Sequence, residues 1–288
     1  MNKTKDYHAV SLSGGKDSTA MLLMMLERGM PIDAVLYADT GMEFPEMYDH
    51  LSKVDALLYQ ERGIHITVLR HPQSFEYLMF DEPKTRASAL ERRKKLGVPP
   101  YGNGWPGIRV RWCTGQLKTH LITKEVNRLK GEYHALHYVG IAADEAKRCK
   151  NEQYPLVEWG VTEAQALEYC YARGFDFGGL YRIYQRASCW CCPFQRIGEL
   201  RKLRQFHPQL WARLLAMDQR ARAQFGPGPL GQFRPNWSVE QLDQRFAEEE
   251  KQRNSQKIVR NVAEVYHVKR YSKQRLCNTT KALVRGNP

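Results

Sequence analysis

The sequence predicts an α/β fold, a doubly wound, Rossmann-like parallel sheet followed by a helical C-terminal region. Three observations carry that expectation. Apolar strand patterns alternate with longer helical patterns over residues 7–69. A glycine turn, Ser13-Gly14-Gly15-Lys16-Asp17-Ser18, joins the first strand to the first helix. Beyond Ile197 the alternation stops and helical patterns take over.

Taken in order, residues 7–12 read as a buried strand. Residues 18–28 read as a helix that is apolar on most faces, from Ala20 through Met21, Met24 and Met25 to Leu26. Such a helix must be sandwiched against a sheet, with its methionines in the core. Residues 32–38 and 64–69 read as further strands, with a helix over 46–62 between them. This rhythm belongs to parallel strands joined by crossover helices. From Asp81 to Arg111 the pattern breaks. A basic stretch (Arg92, Arg93, Lys94, Lys95) precedes Pro99-Pro100-Tyr101-Gly102-Asn103-Gly104-Trp105-Pro106-Gly107. Proline and glycine at this density forbid regular structure, so the segment is expected to be either a substrate-covering lid or a floppy insertion. Helix resumes over 116–129 and strand over 135–141, and Thr162 is placed to cap another helix. Helices are expected at 209–224 and 238–252, with a break at Gly226-Pro227-Gly228-Pro229. The expected division is a nucleotide-binding domain over 1–195, ending in a cysteine-rich segment, and a helical, basic region over 196–288.

Composition narrows the class. With 288 residues and 42% hydrophobic content, the chain can bury a sizeable core. No apolar run approaches the roughly 20 residues of a membrane span, and the first residues lead straight into a strand. A cytoplasmic protein without a membrane partner is therefore expected. The net charge is +13, and from Asn254 onward eight basic residues face a lone Glu264. Such a surface attracts nucleic acid or another phosphorylated partner, or is simply a solvated face of a basic protein. The seven cysteines are an odd number, and Cys189, Cys191 and Cys192 are clustered, which argues for metal or thiol chemistry over a disulfide framework.

The glycine turn carries the chemistry. Its two glycines let the backbone approach a polyanion, and the helix N-terminus turns unpaired N–H groups toward it. Lys16 adds a positive charge, and Ser13 and Ser18 add hydroxyls. The spacing is not that of the Walker loop. Ligands of open α/β sheets bind beyond the carboxyl ends of the strands. Two more motifs fall there, Asp39-Thr40-Gly41 after the second strand and Gly140-Ile141-Ala142-Ala143-Asp144-Glu145 after a later one.

These residues carry a resemblance. Ser13 to Ser18 resembles the pyrophosphate loop (PP-loop) of the ATP pyrophosphatase superfamily, whose members split ATP between the α and β phosphates. Asp39-Thr40-Gly41-Met42-Glu43-Phe44-Pro45-Glu46 resembles an element of the phosphoadenylyl-sulfate (PAPS) reductase family, and residues 140–148 resemble a second one. In the second element Ala142 and Ala146 stand where that family has Arg and Ser. Arg111-Trp112-Cys113-Thr114, followed by Lys118, is similar to a segment of the DNA phosphorothioation sulfurtransferase subunit. The resemblance spans about residues 7 to 195 and implies an adenine nucleotide alpha hydrolase-like fold, ATP and Mg²⁺.

The residue roles follow from charge. Gly14, Gly15, Lys16 and Ser18 are expected to hold the β and γ phosphates. Asp17 is expected to orient the loop or hold Mg²⁺ through water. Asp39 is expected to do the same or contact the nucleotide, unless it is a turn aspartate; Thr40 and Gly41 complete that nucleotide contact. Asp144 and Glu145 suit a metal or a cationic group, and Arg148 suits a phosphate or a transition-state charge unless it is a surface ion pair. Cys189 and Cys192 have the Cys-x-x-Cys spacing of a metal or iron–sulfur site. Cys113 is the best third ligand and Cys149 the expected fourth. Three cysteines with an open iron resemble the iron–sulfur subgroup of PP-loop sulfurtransferases, which implies a [4Fe-4S] cluster; structural Zn²⁺ and a redox dithiol stay open beside it. Cys170 and Cys277 read as structural thiols. The histidines show no ligand spacing, and no Ser-His-Asp signature is present.

Three activities fit. The first is an ATP-dependent, AMP- and pyrophosphate-forming sulfurtransferase, with DNA or RNA as acceptor and a sulfur-donor protein such as a cysteine desulfurase as partner. The second is a PAPS reductase, although Arg275-Leu276-Cys277-Asn278-Thr279 does not match the tail pattern of those enzymes. The third is a non-catalytic nucleotide- or nucleic-acid-binding subunit with structural zinc.

Overall fold

The structure is a computed structural model and describes residues 6–108, 110–187 and 189–256. Strands β1 (Asp6–Ser11), β2 (Ala34–Asp39), β3 (Ile66–Arg70) and β4 (His134–Val139) form one parallel sheet in the order β3-β2-β1-β4. Ser11, the last residue of β1, pairs with Leu36 on one side and Val139 on the other. The helices up to the end of β4 are α1 (Lys16–Glu27), α2 (Pro45–Arg62), α3 (Phe75–Phe80), α4 (Ala87–Leu96), α5 (Trp112–Thr114) and α6 (His120–Glu132), with a π-helical turn at Gly115–Thr119. After β4 come α7 (Pro155–Glu158), α8 (Glu163–Ala172), α9 (Leu180–Ile183), α10 (Ile197–Phe206) and α11 (Pro208–Phe225).

The doubly wound parallel sheet is as expected. Right-handed crossovers put α1 and α2 on one face, and the return from β3 to β4 puts α6 on the other. Strand order therefore reverses between β1 and β4, which opens a crevice at their carboxyl ends. On the α6 face, Val126 and Leu129 pack on Ala9 and Leu36. On the other face, Ala20 and Leu23 of α1 meet Ala166 and Cys170 of α8 and Phe177. Helix α1 is thus covered on two sides, which explains its apolar surround; Met21, Met24 and Met25 are all buried, as expected of core methionines. Each such side chain contributes about 1.5–3 kcal/mol.

Thr162 does cap α8, in a reciprocal capping box with Gln165. The stretch over 81–111 is a correction. Ala87–Leu96 is a helix, and the loop after it is tied down. Arg93 donates to the carbonyl oxygens of Pro99 (2.6 Å), Tyr101 (2.8 Å) and Gly102. The glycines and prolines end the helix at Gly97, in the left-handed conformation, rather than preventing it. The reading also passed over α3, whose Ser74 cap accepts from the Tyr77 N–H.

The chain divides into two compact units, 1–236 and 237–288. The first runs past residue 195 and takes in α10 and α11. In the second, residues 239–256 are helical and Ser238 caps them, its Oγ accepting from the Gln241 N–H. The basic residues from Lys257 onward and Cys277 lie outside the described residues. Among the described residues, no helix is long and apolar enough to cross a membrane.

His50 gives this core a pH signature. It is buried beside Phe177 (4.3 Å between ring centroids) and Nε2 lies 3.1 Å from Thr19 Oγ1. Burial pushes its pKa down from 6.5 to about 4. The folded state keeps His50 neutral while the unfolded chain takes up a proton below pH 6.5. Its contribution is therefore complete above pH 6.5 and is lost as the pH falls toward 4, by about 3 kcal/mol. Urea unfolding of wild type and His50→Gln across that window is expected to show the variant with the flatter profile.

Candidate active site

The loop between β1 and α1 lies at the reversal of strand order. The Ser13 N–H donates to Ser18 Oγ (3.0 Å), and Ser18 Oγ lies 3.1 Å from the Gly15 carbonyl oxygen. Gly14 has φ +78°, and a Cβ there would sit 2.8 Å from Met47 Sδ, so this turn needs glycine. Gly15 stands at the helix N-cap. The Lys16 N–H donates to the Tyr181 hydroxyl at 2.9 Å. Tyr181 thus reaches the amide end of α1, a contact that a separation of 165 residues hides in the sequence.

Lys16 Nζ is buried between carboxylates, 3.1 Å from Glu163 and 3.3 Å from Asp17. Carboxylate oxygens of Asp17, Glu145 and Glu163 lie within 4.8 Å of one another. Burial pushes the Asp17 carboxyl up, with Lys16 opposing and Glu163 and Glu145 adding to the rise. Its Oδ1 is buried with no hydrogen-bond partner. That orphaned oxygen in an all-oxygen set fits a hard cation such as Mg²⁺.

The loop after β4 closes on the first one. A Cβ on Gly140 would lie 2.6 Å from Ser18 Cα, so only glycine allows this approach. Asp144 accepts from the Glu163 N–H at 3.1 Å and so holds the start of α8. Glu145 pairs with Arg148 and, at 3.2 Å, with Arg186. Arg148 is therefore in a surface ion pair. At the β1–β4 seam, Ser11 Oγ lies 2.7 Å from His137 Nε2, and Glu152 lies 3.0 Å from His137 Nδ1 but off the hydrogen-bond direction. No local spacing announces that chain, since Ser11 and His137 sit on different strands.

At the end of β2, Asp39 is committed to the loop itself. Its Oδ1 accepts from the Gly41 N–H (2.8 Å) and the Tyr48 hydroxyl (2.9 Å), and its Oδ2 pairs with Arg70 Nε (2.8 Å). Burial works to raise its pKa, but these donors outweigh it and hold the carboxyl below its ordinary range. Sequence reasoning missed the residue next to this motif that does most. Glu43 is buried, and its Oε1 accepts from Thr40 Oγ1 (3.2 Å), Lys118 Nζ (2.9 Å) and Cys189 Sγ (3.3 Å). Burial opposes the charge on Lys118, yet Cys189 and Glu43 lift its pKa above that of an ordinary lysine.

The Cys189–Cys192 segment docks on this loop through the Trp190 N–H, which donates to the Met42 carbonyl at 3.1 Å. Burial pushes the Cys189 thiol up to about 12, with Glu43 adding to the rise and Lys118 opposing. Burial likewise raises Cys113, Cys191 and Cys192, and Cys192 feels Cys113 while Cys191 feels all three others. Cys113, Cys189, Cys191 and Cys192 therefore form one neighbourhood; Cys149 ends the helical turn Ala143–Arg148, its N–H donating to the Ala146 carbonyl at 3.0 Å. Arg111, over the Phe194 ring at 4.6 Å, Lys118 and Arg234 are cations beside the thiols. Of the four expected ligands, Cys113, Cys189 and Cys192 belong to this neighbourhood, which also holds Cys191. Among the described residues, the ligand atoms gathered within 4.8 Å are the acidic set, not the sulfurs.

Two uncharacterized proteins of Methanocaldococcus jannaschii are similar to this chain. One is 27% identical over 232 residues, 73% of this chain and 41% of that protein. The other is 21% identical over 224 residues, 73% of this chain and 47% of that protein. The chain thus spans less than half the length of either. A crystal structure of PAPS reductase from Candida auris, a phosphate complex, is 19% identical; the match covers 65% of this chain and 83% of that one at a TM-score of 0.42. Residues 7–95, which hold the glycine loop and the Asp39-Thr40-Gly41 turn, match the phosphoadenosine phosphosulfate reductase domain family.

Proposed function

We propose that this chain is a PP-loop enzyme that binds ATP, releases pyrophosphate and adenylylates an acceptor for sulfur transfer. The observation that carries the reading is Lys16, held at the crevice between β1 and β4 beside Asp17, Glu145 and Glu163. A lysine and hydroxyls for phosphate oxygens, with a carboxylate set for Mg²⁺, are what a polyphosphate leaving group requires. Attack of an acceptor oxygen on the α phosphorus forms the adenylate and breaks the α–β bridge, releasing pyrophosphate. A sulfur nucleophile then displaces AMP. Mg²⁺ would neutralise charge on the departing pyrophosphate, with Asp17, Glu145 and Glu163 as its holders.

The cysteine neighbourhood supports the sulfur half of the reading. Cys113, Cys189 and Cys192 are the holders this reading gives to a [4Fe-4S] cluster or Zn²⁺, which would draw the sulfurs closer together, with Lys118 and Arg111 at hand to balance the thiolates. Such a group would supply a site for sulfur. A sulfur-donor protein and a DNA or RNA acceptor complete the proposal. The similarity of residues 7–95 favours a second reading, a sulfonucleotide-binding reductase.

Purified protein with ATP and Mg²⁺ is expected to release pyrophosphate when an acceptor nucleic acid and a sulfur donor are added. Absence of release with every acceptor and donor would sink the leading reading. Sulfite release from phosphoadenylyl sulfate would promote the second. Metal analysis of anaerobically purified protein is expected to find iron and sulfide; a colourless, iron-free protein overturns the cluster and leaves zinc as the next reading.

A further inference from the structure

Helix α4 is built unlike the other long helices. Of its ten residues only Arg93 is buried. No apolar side chain anchors it. It is held by the Arg93 guanidinium on the backbone carbonyls of Pro99, Tyr101 and Gly102. The loop beyond is held in turn, since the Gly102 N–H donates to Glu82 (2.8 Å), Asn103 Nδ2 donates to Leu78 (2.7 Å) and Trp105 Nε1 donates to Asp218 (3.1 Å). A helix that buries one residue adds nothing to a core.

The exposed flanks of α4 are basic, with Arg92 and Lys94 on either side of the buried Arg93. The sequence from Lys84 to Arg111 holds eight basic residues and a lone acid, Glu91, although Arg93 is spent on the carbonyls and Lys84 pairs with Glu82. Glu91 pairs with Lys95 at 3.1 Å, so it offsets only one of them. Arg86, Arg92 and Lys94 are exposed. The same arm exposes Tyr101 at 42% and Ile108 at 78%. It ends at Arg111, which lies over Phe194 two residues from Cys192, and Cys113 comes two residues later. Exposed cations on both flanks of a helix, beside an exposed aromatic ring, match the chemistry of a single nucleic-acid strand, which offers regularly spaced phosphates and stackable bases.

We propose that α4 and the loop to Arg111 form a docking arm for single-stranded nucleic acid, which leads the strand to the cysteine neighbourhood. The arm rests on the reading above that the acceptor is a nucleic acid, and it says which surface grips that acceptor. The cations hold phosphates and Tyr101 stacks a base.

Fluorescence anisotropy tests this with the full chain and no ATP, so the result is independent of catalysis. The probes are fluorescein-labelled single strands of RNA and of DNA, about 20 nucleotides long, and the matching duplexes. The double variant Arg92→Glu/Lys94→Glu is expected to bind single strands at least tenfold more weakly. Its plot of log K against log salt is expected to be shallower by about 1.4, or 0.7 for each lost phosphate contact. Tyr101→Ala is expected to weaken single strands about tenfold and leave duplexes alone. Both variants change exposed residues, and their melting temperatures are expected to stay at the wild-type value. Wild-type affinity in the double variant overturns the proposal and places the grip elsewhere, such as the basic residues after Lys257. Equal competition by polyglutamate also overturns it, because the arm then reads acidity and not nucleic acid. Absence of pyrophosphate release with strand binding intact would sink the catalytic reading and leave the arm standing. A preference between RNA and DNA names the acceptor.

Discussion

Lys16→Ala is expected to lower ATP affinity ten- to a hundredfold and to remove pyrophosphate release, and also to lower the melting temperature, because the Asp17 and Glu163 carboxylates lose their buried counter-charge. A charged hydrogen bond to phosphate is worth about 1.5–3 kcal/mol, which sets the affinity range. The loss in turnover is expected to be larger, about 10²–10³, because charge builds on the leaving pyrophosphate. The surroundings make the substitution worse than a lost contact. Lys16 Nζ lies 3.1 Å from Glu163 and 3.3 Å from Asp17, and Glu145 is in the same carboxylate set. Without the ammonium these carboxylates repel a polyphosphate. Glu163→Gln should act in the opposite sense in the absence of Mg²⁺, since it removes a competitor for Lys16 and is expected to tighten metal-free ATP. Calorimetric titration of both variants, with and without Mg²⁺, checks the pair of signs. Unchanged ATP affinity in Lys16→Ala removes the loop from the nucleotide site.

The parts of the site that were legible in the sequence are local in the chain. Ser13 to Ser18 and Asp39 to Gly41 declare themselves by spacing, because a strand, a glycine turn and a helix occupy few residues. The partners that decide what these motifs do come from far away. Tyr181 and Glu163 reach Lys16, and Lys118 and Cys189 reach Glu43, across gaps that no periodicity reports. Asp39 shows the other limit. Its motif suggests a ligand, but Tyr48 and Arg70 join the turn amide on its oxygens and make it a support of the loop. Helix α4 was missed for a physical reason. Helices are found through an apolar stripe, and this one is fastened by a guanidinium on carbonyl oxygens.

Glu43→Ala is expected to cost about 2–3 kcal/mol and to loosen the cysteine segment. One buried carboxylate oxygen takes the Thr40 hydroxyl, the Lys118 ammonium and the Cys189 thiol. Breaking a fully buried ion pair costs about 3–5 kcal/mol, because the surviving charge is stranded. Lys118 keeps 40% of its side chain in solvent, so its ammonium can rehydrate and the cost falls below that range. For a unit of this size the melting temperature is expected to drop about 5–10 °C. The thiol moves as well. Burial is the main reason that the Cys189 pKa stands at about 12, and Glu43 is the next; Lys118 pulls the other way. Removing the carboxylate leaves the lysine unopposed, so the thiol becomes more acidic. Iodoacetamide modification of metal-free protein at pH 8, followed by peptide mass analysis, is expected to label Cys189 faster in Glu43→Ala than in wild type. Glu43→Gln separates the charge from the shape: it keeps an acceptor for Lys118 and Thr40, and is expected to recover most of the stability while Cys189 still labels fast. Slow labelling in both variants would show that burial alone governs the thiol, and that Glu43 is only a structural anchor for Lys118.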